Sequence, residues 1–125
     1  MKIKIYHHDP SGLGPDVHVA TFDAGHDRTI ADLPVPHEVL LDQAYQATQN
    51  IEGSWALGPE ITIDRQIVEN SDYDPRITVH GAATARGRRI VGIRSTLVGD
   101  TMTVGDGPDA PCYRVAPMGW TRLAR

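Results

Sequence analysis

Lys2-Ile3-Lys4-Ile5-Tyr6-His7 and Val17-His18-Val19-Ala20-Thr21-Phe22 are two runs that alternate in polarity, separated by Asp9-Pro10-Ser11-Gly12-Leu13-Gly14-Pro15. A period of two is the pattern of a half-buried strand. In the first run Ile3 and Ile5 share one face, and Lys2, Lys4 and Tyr6 the other. In the second, Val17, Val19 and Thr21 stand opposite His18, Ala20 and Phe22. Proline and glycine between the runs predict a wide turn, so the two strands are expected to pair antiparallel.

The next regular segment is of another kind. Pro34-Val35-Pro36 opens a helix expected over about residues 36–51, with proline at its first position and Glu38 near the positive end of its dipole. Leu40, Ala44, Ala47 and Ile51 recur at helical spacing and predict a buried stripe that Leu41 and Tyr45 widen. Gly53 is expected to stop it. Trp55 and Leu57 fold back onto the helix end. After it come only short apolar pieces: Ile61–Ile63, 76–80, 90–93, 101–104, 113–116 and 120–123. One helix beside several short strands is an α+β domain with a mostly antiparallel sheet. At 125 residues the chain suits a single domain over 1–125.

The net charge of −4 conceals a division. Residues 1–75 form an acidic half, with four basic residues against thirteen acids. Residues 76–125 form an arginine-rich half, with eight arginines against three aspartates. The sign changes at Tyr73-Asp74-Pro75, inside the domain. No apolar run is long enough for a signal peptide or a membrane span. Cys112 is the only cysteine, so no internal disulfide is expected, and a cytoplasmic setting with no membrane contact follows.

The residues that could carry chemistry are few. His7 and His8 are strand neighbours and point to opposite faces, and no metal-ligand spacing is present, so no metal or cofactor is expected. Cys112 and Ser95 lack the surroundings of a nucleophile. The pair Asp72 and Asp74 reads as a solvated loop. The expectation is therefore no enzyme, with a histidine-dependent activity around Tyr6, His7 and His18 as one alternative. The arginines Arg76, Arg86, Arg88, Arg89 and Arg94, interleaved with glycine, could grip phosphates and make nucleic acid the first candidate partner. They could equally pair with the acidic half inside the fold. Asp23, Asp27, Asp32, Glu38 and Asp42 offer an acidic surface for a basic protein, the inhibitor alternative. A homodimer through an exposed strand edge is compatible with each reading.

Arg94-Ser95-Thr96-Leu97-Val98-Gly99-Asp100, followed by Val104, Gly107, Tyr113-Arg114-Val115, Gly119-Trp120 and Leu123, resembles the ending of a group of small actinobacterial and actinophage proteins. It is also similar to the YodL-like domain of mobile elements. Ala44-Tyr45, Thr48, Asn50 and Trp55 resemble the upstream part of the same group. The likeness covers about half the chain, and Leu97 departs from the serine of that pattern. It implies a phage or mobile-element accessory protein that binds a host macromolecule, and it implies no catalytic residue. By its own chemistry Val98-Gly99-Asp100 is a tight turn in which aspartate caps its own backbone. Tyr113, Val115 and Trp120 are expected to bury against 101–104.

Overall fold

The computed structural model of the chain describes residues 1–9, 11–12, 14–25, 35–80, 85–86, 89–90 and 92–124. The elements are β1 (Lys2–His7), β2 (Val17–Asp23), α1 (His37–Ala47), β3 (Glu60–Ile63), β4 (Gln66–Glu69), β5 (Ile77–Val79), β6 (Ala85–Arg86), β7 (Arg89–Ile90), β8 (Thr101–Val104), β9 (Cys112–Val115) and β10 (Trp120–Arg122). Six strands form one sheet in the order β10-β9-β8-β1-β2-β5, with every neighbouring pair antiparallel. β3 with β4 and β6 with β7 are separate two-stranded ribbons. The domain is α+β, and strands dominate it.

Alternation sorts the sheet into two faces. Ile3, Ile5, Phe22, Ala20, Met102, Val104, Tyr113 and Val115 are buried on one. There all of these but Val115 meet Leu40, Leu41 and Ala44 of α1 and Trp55 in a single core. Each fully buried large side chain contributes about 1.5–3 kcal/mol.

Three local features differ from the sequence reading. A bulge in the β1–β2 pair aligns Ile5 with Ala20 but Tyr6 with His18, so Val19 is the extra residue. The bulge restores the alternation, placing His18 with Thr21 instead of opposite it. The helix ends at Ala47, not near residue 51, and Pro36 is its N-cap. Thr48 ends it: its hydroxyl bonds the carbonyl oxygens of Ala44 (2.9 Å) and Tyr45 (3.2 Å). Ile51, read as part of the buried stripe, is 78% exposed, and Thr48 is buried in its stead. Finally, the loop of Asp72 and Asp74 is built rather than merely solvated. Asp72 Oδ2 accepts the backbone N–H groups of Ile51 (2.7 Å), Glu52 (2.9 Å) and Gly53 (2.6 Å). These amides together outweigh burial, the largest opposing effect, and hold the Asp72 carboxyl below its ordinary pKa.

Candidate functional site

Two constellations of polar side chains lie on opposite sides of β1. The first closes the turn after residue 94. Asp100 is fully buried and accepts five hydrogen bonds. The Arg94 guanidinium supplies two, Nη1 to Oδ2 (2.7 Å) and Nη2 to Oδ1 (2.8 Å). The backbone N–H groups of Leu97 (2.7 Å) and His8 (2.9 Å) supply two more, and His8 Nδ1 the fifth at 2.6 Å. Burial alone would raise the Asp100 pKa; these donors, Arg94 foremost, hold it at about 2. Gly99, at φ +97°, makes the turn possible. Arg94 Nη2 also donates to His8 O (3.2 Å), and the Arg94 carbonyl accepts Trp55 Nε1 (2.9 Å).

Next to this knot a neutral chain runs inward. His7 Nε2 lies 3.0 Å from Thr96 Oγ1, which lies 2.8 Å from Thr48 Oγ1, which donates to Ala44 O. Each hydroxyl has one proton, so the chain closes when His7 carries its proton on Nε2. His7 is 6% exposed. Burial, the largest cause, with Arg94 and His8 nearby, lowers its pKa to about 4 against the pull of Asp100. This constellation is structural: every polar atom named in it is satisfied within the protein.

The second constellation faces the other way. By register, the sheet face opposite α1 carries the row Arg114–Thr101–Tyr6–His18 and the row Cys112–Thr103–Lys4–Thr21–Thr78. Lys2 stands opposite Asp23 at its end. Tyr6 stacks on His18 with ring centroids 4.9 Å apart, and His18 lies 4.6 Å from His80. Thr21 Oγ1 bridges the two imidazoles, 2.8 Å from His80 Nε2 and 3.3 Å from His18 Nε2. His18 Nε2 donates to Ala20 O (3.1 Å). Burial first, then His80 and Lys4, lower the His18 pKa against that carbonyl. His7, which the sequence grouped with Tyr6 and His18, is on the opposite face. His80 takes its place, and no short-range pattern links it to His18.

The arginine set is divided. Arg94 turns inward onto Asp100. Arg76 clasps Asp74 through Nε (3.0 Å) and Nη2 (2.7 Å), with its guanidinium carbon 4.8 Å from the centre of the Phe22 ring. Arg86 and Arg89 are backbone register partners in the β6–β7 ribbon. Arg88 lies outside the described residues, as do Asp27 and Asp32. Of the remaining acids, Asp23 accepts the Gly25 N–H (2.9 Å), Asp42 accepts Trp120 Nε1 (2.9 Å), and Glu38 is exposed in the first turn of α1. They form no common site.

Among the described residues no three histidine, cysteine or acidic side chains gather to hold a metal, and no helix is long and apolar enough to cross a membrane. Fold and side chains define an α+β domain in which a helix backs one face of an antiparallel sheet and a ring stack with basic flanks lies on the other. No family model, curated protein or solved structure matches the chain.

Proposed function

We propose that this protein is a non-enzymatic binding module of a phage or mobile element, and that the sheet face opposite α1 contacts single-stranded nucleic acid of the host. The observation that carries the reading is the stack of Tyr6, His18 and His80 on a strand face flanked by Lys2, Lys4 and the exposed Arg114. Aromatic rings offer stacking surfaces to bases, and flanking cations hold the phosphates. Thr21 and Thr78, the accessible threonines of this face, supply hydroxyl donors and acceptors without charge repulsion. Arg86, Arg88 and Arg89 remain candidate phosphate contacts on the segment after β5. Arg76 and Arg94 are committed to Asp74 and Asp100, so the proposed interface shifts from them to β1 and β2. The resemblance of the 94–123 ending supports the mobile-element context and a cytoplasmic site of action.

Fluorescence anisotropy with labelled single-stranded DNA and RNA homopolymers tests this. Binding is expected at low salt, with an affinity that falls linearly in log–log against salt. Tyr6→Ala should lower affinity about tenfold, corresponding to roughly 1–3 kcal/mol per stacked base. Absence of binding by the wild type at low salt would overturn the reading.

One observation favours a second reading. The Thr21 hydroxyl sits 2.8 Å from His80 Nε2 with a second imidazole beyond it, which is acid–base geometry. Cleavage of a bound strand abolished by His80→Ala, with Lys4 and Tyr6 intact, would favour that reading over binding alone.

A further inference from the structure

The ribbon of β3 and β4 stands apart from the main sheet, and an isolated two-stranded hairpin is at best marginally stable in water. Its turn, Asp64-Arg65, has two non-glycine residues at positive φ (+49° and +67°), the geometry of a tight primed hairpin turn. Ile67 is 72% exposed and Ile63 48%. At the base, Glu60 and Glu69 are directly opposed, a like-charge pair that destabilises a ribbon. Among the described residues neither glutamate has an ion-pair partner, and neither does Arg65. The isolation, the exposed isoleucines, the opposed glutamates and the charges without an ion-pair partner make a poor free hairpin, and the tight turn makes it a complete half of a larger sheet.

The register decides which edge is used and by what. A two-residue turn makes Ile63 and Gln66 a hydrogen-bonded pair, and alternation makes Ile61 and Val68 the next one. The bond from Asn70 N–H to Pro59 O continues the series. The backbone groups of Ile67 and Glu69 therefore point away from β3, as do those of Glu60 and Thr62 away from β4. A second copy of the chain can add to either edge through a two-fold axis normal to the ribbon. On the β4 edge, an axis at Ile67 sets Ile67 against Ile67 and Arg65 level with Glu69, twice. On the β3 edge, an axis at Thr62 sets Asp64 level with Glu60, repelling twice.

We infer that two copies of this chain associate through β4, forming a four-stranded antiparallel sheet in which Arg65 of each meets Glu69 of the other. The incoming Arg65 neutralises the Glu60–Glu69 pair that each hairpin carries alone, and the paired Ile67 side chains leave water together. Four residues a side is a small contact, so the association is weak and shows only at high protein concentration. The association joins two binding faces into a bivalent unit, but it does not depend on what those faces bind.

Sedimentation velocity from micromolar to near-millimolar protein, at low salt, tests it. The wild type is expected to shift from monomer toward dimer. Arg65→Glu alone, and Glu69→Arg alone, should each weaken association about tenfold, because each places like charges face to face twice. The double variant should recover wild-type behaviour. A mixture of the two single variants should form a heterodimer, since one then carries two acids where the other carries two arginines; this also shows that both are folded. A wild type that stays monomeric throughout, single variants that associate like wild type, or a mixture that fails to associate would each overturn the inference.

Discussion

Arg94 and Asp100 meet in a two-point ion pair, Nη1 to Oδ2 at 2.7 Å and Nη2 to Oδ1 at 2.8 Å, with the carboxylate fully buried. Burying a carboxylate is costly, and it is offset here by five donors and not by the ion pair alone. The pair also fixes the order of events in space. It closes the 94–100 turn and, through the His8 backbone, fastens that turn to the end of β1.

Asp100→Asn should therefore destabilise the fold by about 3–5 kcal/mol, since it leaves the Arg94 charge without its partner and turns an amide N–H donor toward the N–H donors that one carboxylate oxygen served. Arg94→Lys should cost less, because an ammonium still neutralises Asp100 while losing the fork. Chemical denaturation of both variants checks this; equal losses would show that the two-point geometry, not the charge alone, holds the turn.

The two buried groups give the stability a defined pH dependence. His7 is held at about pH 4 in the fold, below its ordinary 6.5, so the unfolded chain binds more protons in that interval. Stability should be full above about pH 6.5 and fall by a few kcal/mol as pH drops toward 4. Asp100, lowered from 3.8 to about 2, adds a second loss below pH 4. His7→Gln should flatten the upper part of the curve and leave the lower part. Thermal unfolding across pH 3–8 resolves the two; an unchanged slope between 4 and 6.5 in the variant would remove His7 as the cause.

Leu97 departs from the serine of the pattern it resembles, and the structure makes that departure harmless. Its side chain is 49% exposed, while its backbone N–H is what Asp100 requires. Leu97→Ser should change stability by no more than about 0.5 kcal/mol. Gly99→Ala, two residues on, should cost more. Gly99 has φ +97°, and an added Cβ would stand 3.3 Å from the His8 ring. Thermal shifts of the two variants should separate clearly; similar shifts would mean the turn tolerates a side chain at that φ.

What the sequence disclosed follows the range of the forces involved. Alternation at 2–7 and 17–22 is a local signal, and both strands stand where it placed them. The helix start was legible from Pro36 and Glu38. Its end was not, because Thr48 stops it by bonding its own last carbonyls while docked on Thr96, a residue 48 positions away. The bulge at Val19 was illegible for a related reason: it is set by which β1 residue each β2 residue meets. That single residue returns His18 to the face of Tyr6 and Thr21. Arg94 and Asp100 were visible as parts of one motif, but their contact needs the end of β1 to supply His8. His80 joins His18 only through the pairing of β5 with β2.

The sheet face opposite α1 carries a pH signature of its own. His18 is surrounded by Tyr6, Thr21, His80 and Lys4, and its pKa is lowered, by burial foremost and then by His80. That shift favours the neutral imidazole in the free protein. A phosphate brought to this face favours the protonated imidazole, so binding takes up a proton and affinity should rise as pH falls from 7.5 to 5.5. His18→Gln should reduce that rise. Affinity is best followed together with tryptophan fluorescence, because loss of His7-dependent stability begins in the same interval and would lower apparent affinity, the opposite direction. An affinity independent of pH in the wild type, or a rise undiminished in His18→Gln, would mean that His18 does not touch the phosphates.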